Sequence, residues 1–151
     1  MRAPSWLASS IGKKTLMALS GLALSGFVLM HLLGNLLIYR GPDALNAYAA
    51  KLDHLRIWLW AARGGLLAAV AVHLVTSVQL TLENRRARPQ AYARYRTAET
   101  TLAARTMMLT GVLLLAYLVY HLLHFTFRVT NPGLSHGVDA LGRHDVYSMM
   151  V

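Results

Sequence analysis

Three long apolar stretches, each flanked by charged residues, alternate with polar connections along this chain of 151 residues. The first runs uncharged from Thr15 to Tyr39, between Lys14 and Arg40. The second runs from Gly64 to Leu82, between Arg63 and Glu83, and the third from Thr106 to Phe127, between Arg105 and Arg128. Each is about as long as the roughly 20-residue helix that crosses a bilayer core of about 30 Å. The pattern predicts an all-α fold, an integral membrane helical bundle with three transmembrane helices at about 15–39, 57–82 and 105–128. Residues 1–151 read as a single membrane domain, with 129–151 an outer loop and the start of a further helix.

Punctuation refines this layout. Lys13 and Lys14 followed by LMALSGLALSGF resemble the basic and apolar regions of a signal peptide. The apolar run continues through FVLMHLLGNLLIY with no small-residue cleavage site, so it is a retained span. Pro89 stops any helix that continues from the second stretch. Asn131-Pro132-Gly133 is a turn signal, and Asp145 is placed as a helix N-cap leading into VYSMMV. A chain that stops where another apolar segment begins reads as a piece of a longer membrane subunit.

Charge sets the orientation. The connection ENRRARPQAYARYR carries Arg85, Arg86, Arg88, Arg94 and Arg96 against Glu83, which places it on the cytoplasmic side. Two spans separate it from Arg2, Lys13 and Lys14, so the N-terminus shares that side. The connection from Arg40 to Arg63 then faces outward, with Trp58 and Trp60 as an interfacial aromatic belt. Composition agrees: 56% of residues are hydrophobic and 14% charged. The net charge of +9 sits at the ends of apolar segments, the pattern of membrane flanks and anionic lipid rather than of a nucleic-acid groove. There is no cysteine, so disulfides, zinc thiolates and iron–sulfur ligation by this chain are excluded.

Each apolar stretch contains a histidine: His31, His73 and His121. Ionisable side chains at that depth are expensive and usually mark a pathway or a cofactor, and neutral imidazole is a common axial ligand of haem iron. At about 1.5 Å per residue, His31 lies about 12 Å from the outer end of its span and His121 about 9 Å from the outer end of its own. His73 lies about 13 Å from the opposite side. A haem standing upright between helices needs two imidazoles at one level, which pairs His31 with His121 and leaves His73 to another partner. His124, one turn beyond His121, is the alternative ligand in the third span. Asn35 shares a face with His31 and either meets a propionate or satisfies a neighbouring helix. Arg63 and Arg105, at span ends, either snorkel to headgroups or pair with haem propionates. Gly65, Ala69, His73 and Ser77 form a small-residue stripe that admits a helix or a flat macrocycle. His54, His136 and His144 lie in polar connections, where a surface position is expected. The ARP-x-x-Y segment from Ala87 to Tyr92 is a candidate for anionic lipid or a soluble partner.

The segments SIGKKTLMALSGLALSGFVLMHLLGNLLIY, GPDALNAYAAKL, HLVTSVQLTLENRRARPQAY and ARTMMLTGVLLLAYLVYHLLHF, in this order, resemble the cytochrome b558-type membrane subunit of succinate dehydrogenase and fumarate reductase. The resemblance implies five transmembrane helices and two b haems with bis-histidine ligation. It implies that His31 and His121 hold the distal haem. His73 would hold the proximal haem, with its partner on a fourth helix that these residues do not include. His124 departs from the family pattern, which has an acid or polar residue there. A flavoprotein and an iron–sulfur subunit are implied as partners, as is a membrane quinone, menaquinone more often than ubiquinone. The implied role is electron transfer in succinate:quinone oxidoreductase, with no dicarboxylate site in this chain, in a cell's inner (cytoplasmic) membrane. The rival expectation is a haem-free scaffold whose histidines bond across helices. A proton-relay transporter is weaker, because no Asp or Glu lies in any of the three stretches.

Overall fold

A computed structural model describes residue 6, residues 9–87 and residues 100–151. The described residues are helical with no strand. Helix α1 covers Ser10–Asn35 and runs into a 3-10 segment, Leu36–Arg40; α2 covers Pro42–His54; α3 covers Arg56–Arg86; α4 covers Leu102–His121 and passes into a π-helical turn, Leu122–Thr126; α5 is a single turn, Pro132–Ser135. Three of these elements are long and apolar enough to cross a membrane: Ser10–Arg40, Arg56–Arg86 and Leu102–Thr126. The all-α, three-span architecture expected from the hydrophobic pattern is therefore present, and the chain is a membrane protein on these helices. At about 1.5 Å per residue, the 31 residues of α3 extend about 46 Å, past a hydrocarbon core of about 30 Å.

The ends follow from side-chain chemistry. The Ser9 hydroxyl accepts the Gly12 N–H at 3.0 Å to cap α1, and Thr101 accepts the Ala104 N–H at 3.2 Å to cap α4. Gly41, at φ +93°, turns the chain out of the 3-10 segment, and Pro42 opens α2. Asp43 in the first turn of α2 and Lys51 and His54 in its last suit the helix dipole. Within the spans, hydroxyls satisfy themselves locally: Thr76 donates to the Val72 carbonyl at 2.7 Å and Thr110 to the Met107 carbonyl at 3.0 Å. Helix α3 ends at Arg86, three residues before Pro89. Pro89, the rest of the arginine-rich connection and most of the Ala87 to Tyr92 segment lie outside the described residues.

The chain divides into two compact units, Met1–Tyr39 with Lys51–Ala91, and Arg40–Ala50 with Tyr92–Val151. In the first, α1 and α3 pack antiparallel. Lys13 near the start of α1 pairs with Glu83 near the end of α3, while Ser20 meets His73 further along. The residues buried at this seam are small or polar (Gly12 and Ser20 from α1, Thr76 from α3), with Leu80 beside them. That is the composition of a close helix–helix contact in a membrane, where small residues let the backbones approach.

In the second unit, the C-terminal segment folds onto α2. Leu45, Asn46, Ser135 and Met149 are its buried residues. Residues 136–145 form a hairpin-like loop closed by a bridge between Val138 and His144, with Gly142 at φ +73°. The turn expected at Asn131-Pro132-Gly133 is the start of α5, Pro132 taking the first helical position. The helix expected after Asp145 does not form in residues 146–150. Asp145 does accept the Ser148 N–H at 3.2 Å and its hydroxyl at 2.5 Å, as an N-cap would. The backbone then closes as turns, Met149 to Val146 and Met150 to Tyr147. His144, expected at the surface, is half-buried.

Candidate functional site

His73 is the best-defined of the three span histidines. It sits near the middle of α3, half-buried against α1, and its Nδ1 lies 3.2 Å from the Met17 carbonyl and 3.3 Å from the Ser20 hydroxyl. A carbonyl only accepts, so Nδ1 carries the proton and donates. Ser20 gives its own proton to the Leu16 carbonyl at 2.7 Å, which leaves its oxygen as a second acceptor. Gly21 completes the contact: a Cβ there would stand 3.2 Å from Cε1 and 3.4 Å from Nδ1 of the ring. Met17, Ser20 and Gly21 are spaced i, i+3 and i+4, so one face of α1 supplies all three. The stripe Gly65, Ala69, His73 and Ser77 is open at its first position and meets α1 at His73. A Cβ on Gly65 would meet nothing within 4 Å, and the close approach is made by Gly21 instead.

His31 is exposed on the outer half of α1, and the Phe27 ring, one turn earlier, stacks on it with centroids 5.3 Å apart and planes 22° apart. Asn35, the last residue of α1, is half-buried. In the other unit His121 closes α4, half-buried, with the Phe125 ring at 4.9 Å and the Tyr117 ring at 6.0 Å. His124 is engaged at both ring nitrogens. Nε2 donates to the Met149 carbonyl at 3.2 Å, so Nδ1 is the acceptor of the Thr130 hydroxyl at 2.5 Å. The π turn that holds His124 was not visible in the sequence; such turns are frequent at functional sites.

The two arginines differ in position: Arg63 lies about two turns into the span Arg56–Arg86, and Arg105 is in the first turn of α4. Arg63 lies one turn past Trp60 on α3, its guanidinium 5.0 Å from the indole ring centroid, a cation–π contact that either sequence reading of this residue omitted. Trp58 and Trp60 are both exposed in the first turns of α3. Asp53, Arg56, Leu59, Trp60 and Arg63 line an open depression of about 300 Å³ there. Arg105 is in the first turn of α4 and exposed.

A polar cluster in the second unit had no sequence signal beyond its separate residues. Asn46, 1% exposed, donates to Asp145 at 3.0 Å and Asp139 at 3.4 Å, and accepts the Tyr147 N–H at 3.0 Å. Arg143 binds Asp43 and Asp139, each at 2.7 Å. Desolvation works against the Asp139 carboxylate, but the Arg143 backbone N–H, the guanidinium and the Leu141 N–H outweigh it and hold its pKa below the usual value. Asp145 is likewise held low, by the Ser148 hydroxyl, Asn46 and the Ser148 N–H. Hydrogen bonds to Asp43 and Asp139 raise Arg143. Arg143 answers Asp43 and Asp139, and neutral donors from Asn46 and Ser148 satisfy Asp145, so the cluster is a structural clasp. Among the described residues no three histidine or carboxylate side chains converge as a metal-binding group.

The helices thus define a three-span membrane protein with one histidine in each of the first two spans and two, His121 and His124, in the third. No family model, curated protein or solved structure matches the chain.

Proposed function

We propose that this chain is the membrane-anchor cytochrome b subunit of a succinate:quinone oxidoreductase, with His31, His73 and His121 as axial ligands of b haem. The observation that carries the reading is His73. An imidazole in the middle of a membrane span keeps its proton on Nδ1, against a carbonyl, which leaves the Nε2 electron pair for iron. The donor set fits: imidazoles on apolar helices, with flat aromatic rings of Phe27 and Phe125 beside His31 and His121. His124 is not offered as a ligand, because both of its nitrogens are already engaged.

A haem held by two of these histidines would supply one-electron transfer. The chain's own residues do the rest. The apolar spans exclude water, the carbonyl of Met17 orients His73, and Asn35, Arg63 and Arg105 are candidates for propionate contacts. Electrons would pass between an iron–sulfur subunit with its flavoprotein partner and a membrane quinone, menaquinone in the commoner form. Lys13, Lys14, Arg85 and Arg86 favour a cytoplasmic N-terminus in an inner membrane.

A second reading, a haem-free scaffold, draws on the same bonds, since a packing histidine would also tie α3 to α1. A dithionite-reduced minus oxidised spectrum of the purified chain with its native partners separates the two. Haem ligation predicts a low-spin b-type α band that is lost in His31→Ala and in His121→Ala. A folded, assembled preparation with no such band leaves the scaffold.

A further inference from the structure

The ring of His73 meets α1 through one nitrogen only. Its Nδ1–H faces two acceptors, the Met17 carbonyl at 3.2 Å and the Ser20 oxygen at 3.3 Å. Neutral imidazole has one donor and one acceptor, and among the described residues none hydrogen-bonds Nε2. The contact that joins the two helices therefore uses one ring nitrogen and leaves the other for a further partner. The surroundings are also fixed. Ser20 is 8% exposed, and its hydroxyl proton is already given to the Leu16 carbonyl, so its oxygen is turned toward the ring as an acceptor. Gly21 lets the ring reach these acceptors, since any side chain there would press on Cε1 and Nδ1.

We infer that Ser20, together with the Met17 carbonyl and the space left by Gly21, is the positioning residue that locks His73 in its Nδ1–H tautomer and presents Nε2 as a metal-ligating electron pair. The inference deepens the haem reading and rests on it for the identity of the metal, but the tautomer itself is a property of the haem-free chain. Hydrogen-bonding the far nitrogen of a ligand imidazole to a carbonyl fixes its orientation and raises its basicity, and loss of such partners typically weakens metal binding about 10–100-fold.

The test uses the full chain in lipid nanodiscs with 15N-labelled histidine, the His73 signals being assigned by their loss in His73→Gln. Two-bond proton–nitrogen correlations report which nitrogen is protonated with no haem present. The expected result is a proton on Nδ1 and a bare Nε2 in the unsubstituted chain. Ser20→Ala should raise the share of the Nε2–H form, and Ser20→Thr, which keeps a hydroxyl, should restore the original pattern. A His31→Ala, His121→Ala background removes the other two candidate ligands. Titration of that background with haemin should show binding weakened about tenfold by Ser20→Ala. A predominantly Nε2–H ring in the unsubstituted chain overturns the inference. So does a Ser20→Ala chain, folded by circular dichroism, that leaves the tautomer unchanged. An Nδ1–H ring that responds to Ser20, in a chain that binds no haemin, upholds the positioning and sinks the haem reading instead. If Ser20→Ala does not fold, the unsubstituted and Ser20→Thr spectra still decide the tautomer.

Discussion

Replacing Asn46 by Ala should release the C-terminal segment from α2. Asn46 is among the most buried side chains described, at 1% exposure, and it is bonded on both ends of its amide. Its oxygen takes the Tyr147 N–H at 3.0 Å, a neutral bond with a net contribution of about 1 kcal/mol. Its nitrogen gives a hydrogen bond to Asp145 at 3.0 Å; bonds to a charged partner contribute about 1.5–3 kcal/mol, and the low end applies where the carboxylate also meets solvent. The contact with Asp139, at 3.4 Å, is too long to add much. The sum is about 2–3 kcal/mol, or about 30–150-fold in the equilibrium between docked and released segment. Amide hydrogen exchange reads this directly, because the Asp145 N–H bonded to Gly137 and the Tyr147 N–H lie inside the clasp. Both should lose protection by about that factor. Asn46→Asp keeps an acceptor for Tyr147 but sets a third carboxylate beside Asp139 and Asp145, so it should be at least as damaging. Protection that falls less than about threefold in both variants would refute the view that one buried amide holds this segment.

The clasp should also be acid-labile. Asp139 and Asp145 have folded pKa values below their ordinary range, so their contribution is complete above the unfolded carboxylate value of about 3.9 and is lost as pH falls through the lower folded values. Exchange protection at residues 137–148 should therefore be flat from about pH 7 to 5 and drop below about pH 4; a drop above pH 5 would assign it to another group. Arg128, at φ +58°, pays the left-handed penalty of a non-glycine residue, so Arg128→Gly should stabilise by about 0.5–1 kcal/mol in detergent-micelle unfolding, and Arg128→Val should destabilise. A less stable glycine variant would show that its side chain matters more than its backbone. Thr101→Ala removes the hydroxyl that caps α4 and should cost about 1 kcal/mol in the same assay; no change would mean that the exposed first turn is capped by solvent.

The spans were legible because membrane crossing is written in composition: an unbroken apolar run between charges leaves few alternatives. The elements missed were of other kinds. Helix α2 had its start and stop signals in plain view, Pro42 and Asp43 at one end and Lys51 and His54 at the other, but its polar face made it read as a connection. The clasp depends on residues about a hundred positions apart, Asp43 with Arg143 and Asn46 with Tyr147, and no local pattern encodes such pairs. Around His73, sequence spacing pointed to the stripe on its own helix. The residues that touch the ring, Met17, Ser20 and Gly21, belong to the neighbouring helix, and only the packing of α1 on α3 brings them there. Asp145 was read correctly as a capping side chain, yet a cap is not a helix, and the turns that follow it fold back toward His124 instead.

The π turn at Leu122–Thr126 has a further consequence for the two histidines at the end of α4. A π turn carries one residue more than the α-helical path it replaces, so whatever follows it is out of phase by about 100°. Loss of a single residue from this turn would let the helix run straight, leaving His121 as α4 presents it while His124 swings away from the Met149 carbonyl and the Thr130 hydroxyl. One insertion or deletion is thus enough to couple or uncouple the membrane helix and the C-terminal segment without touching either histidine. Two imidazoles three positions apart in sequence are therefore free to diverge, one kept by the span and the other by the loop.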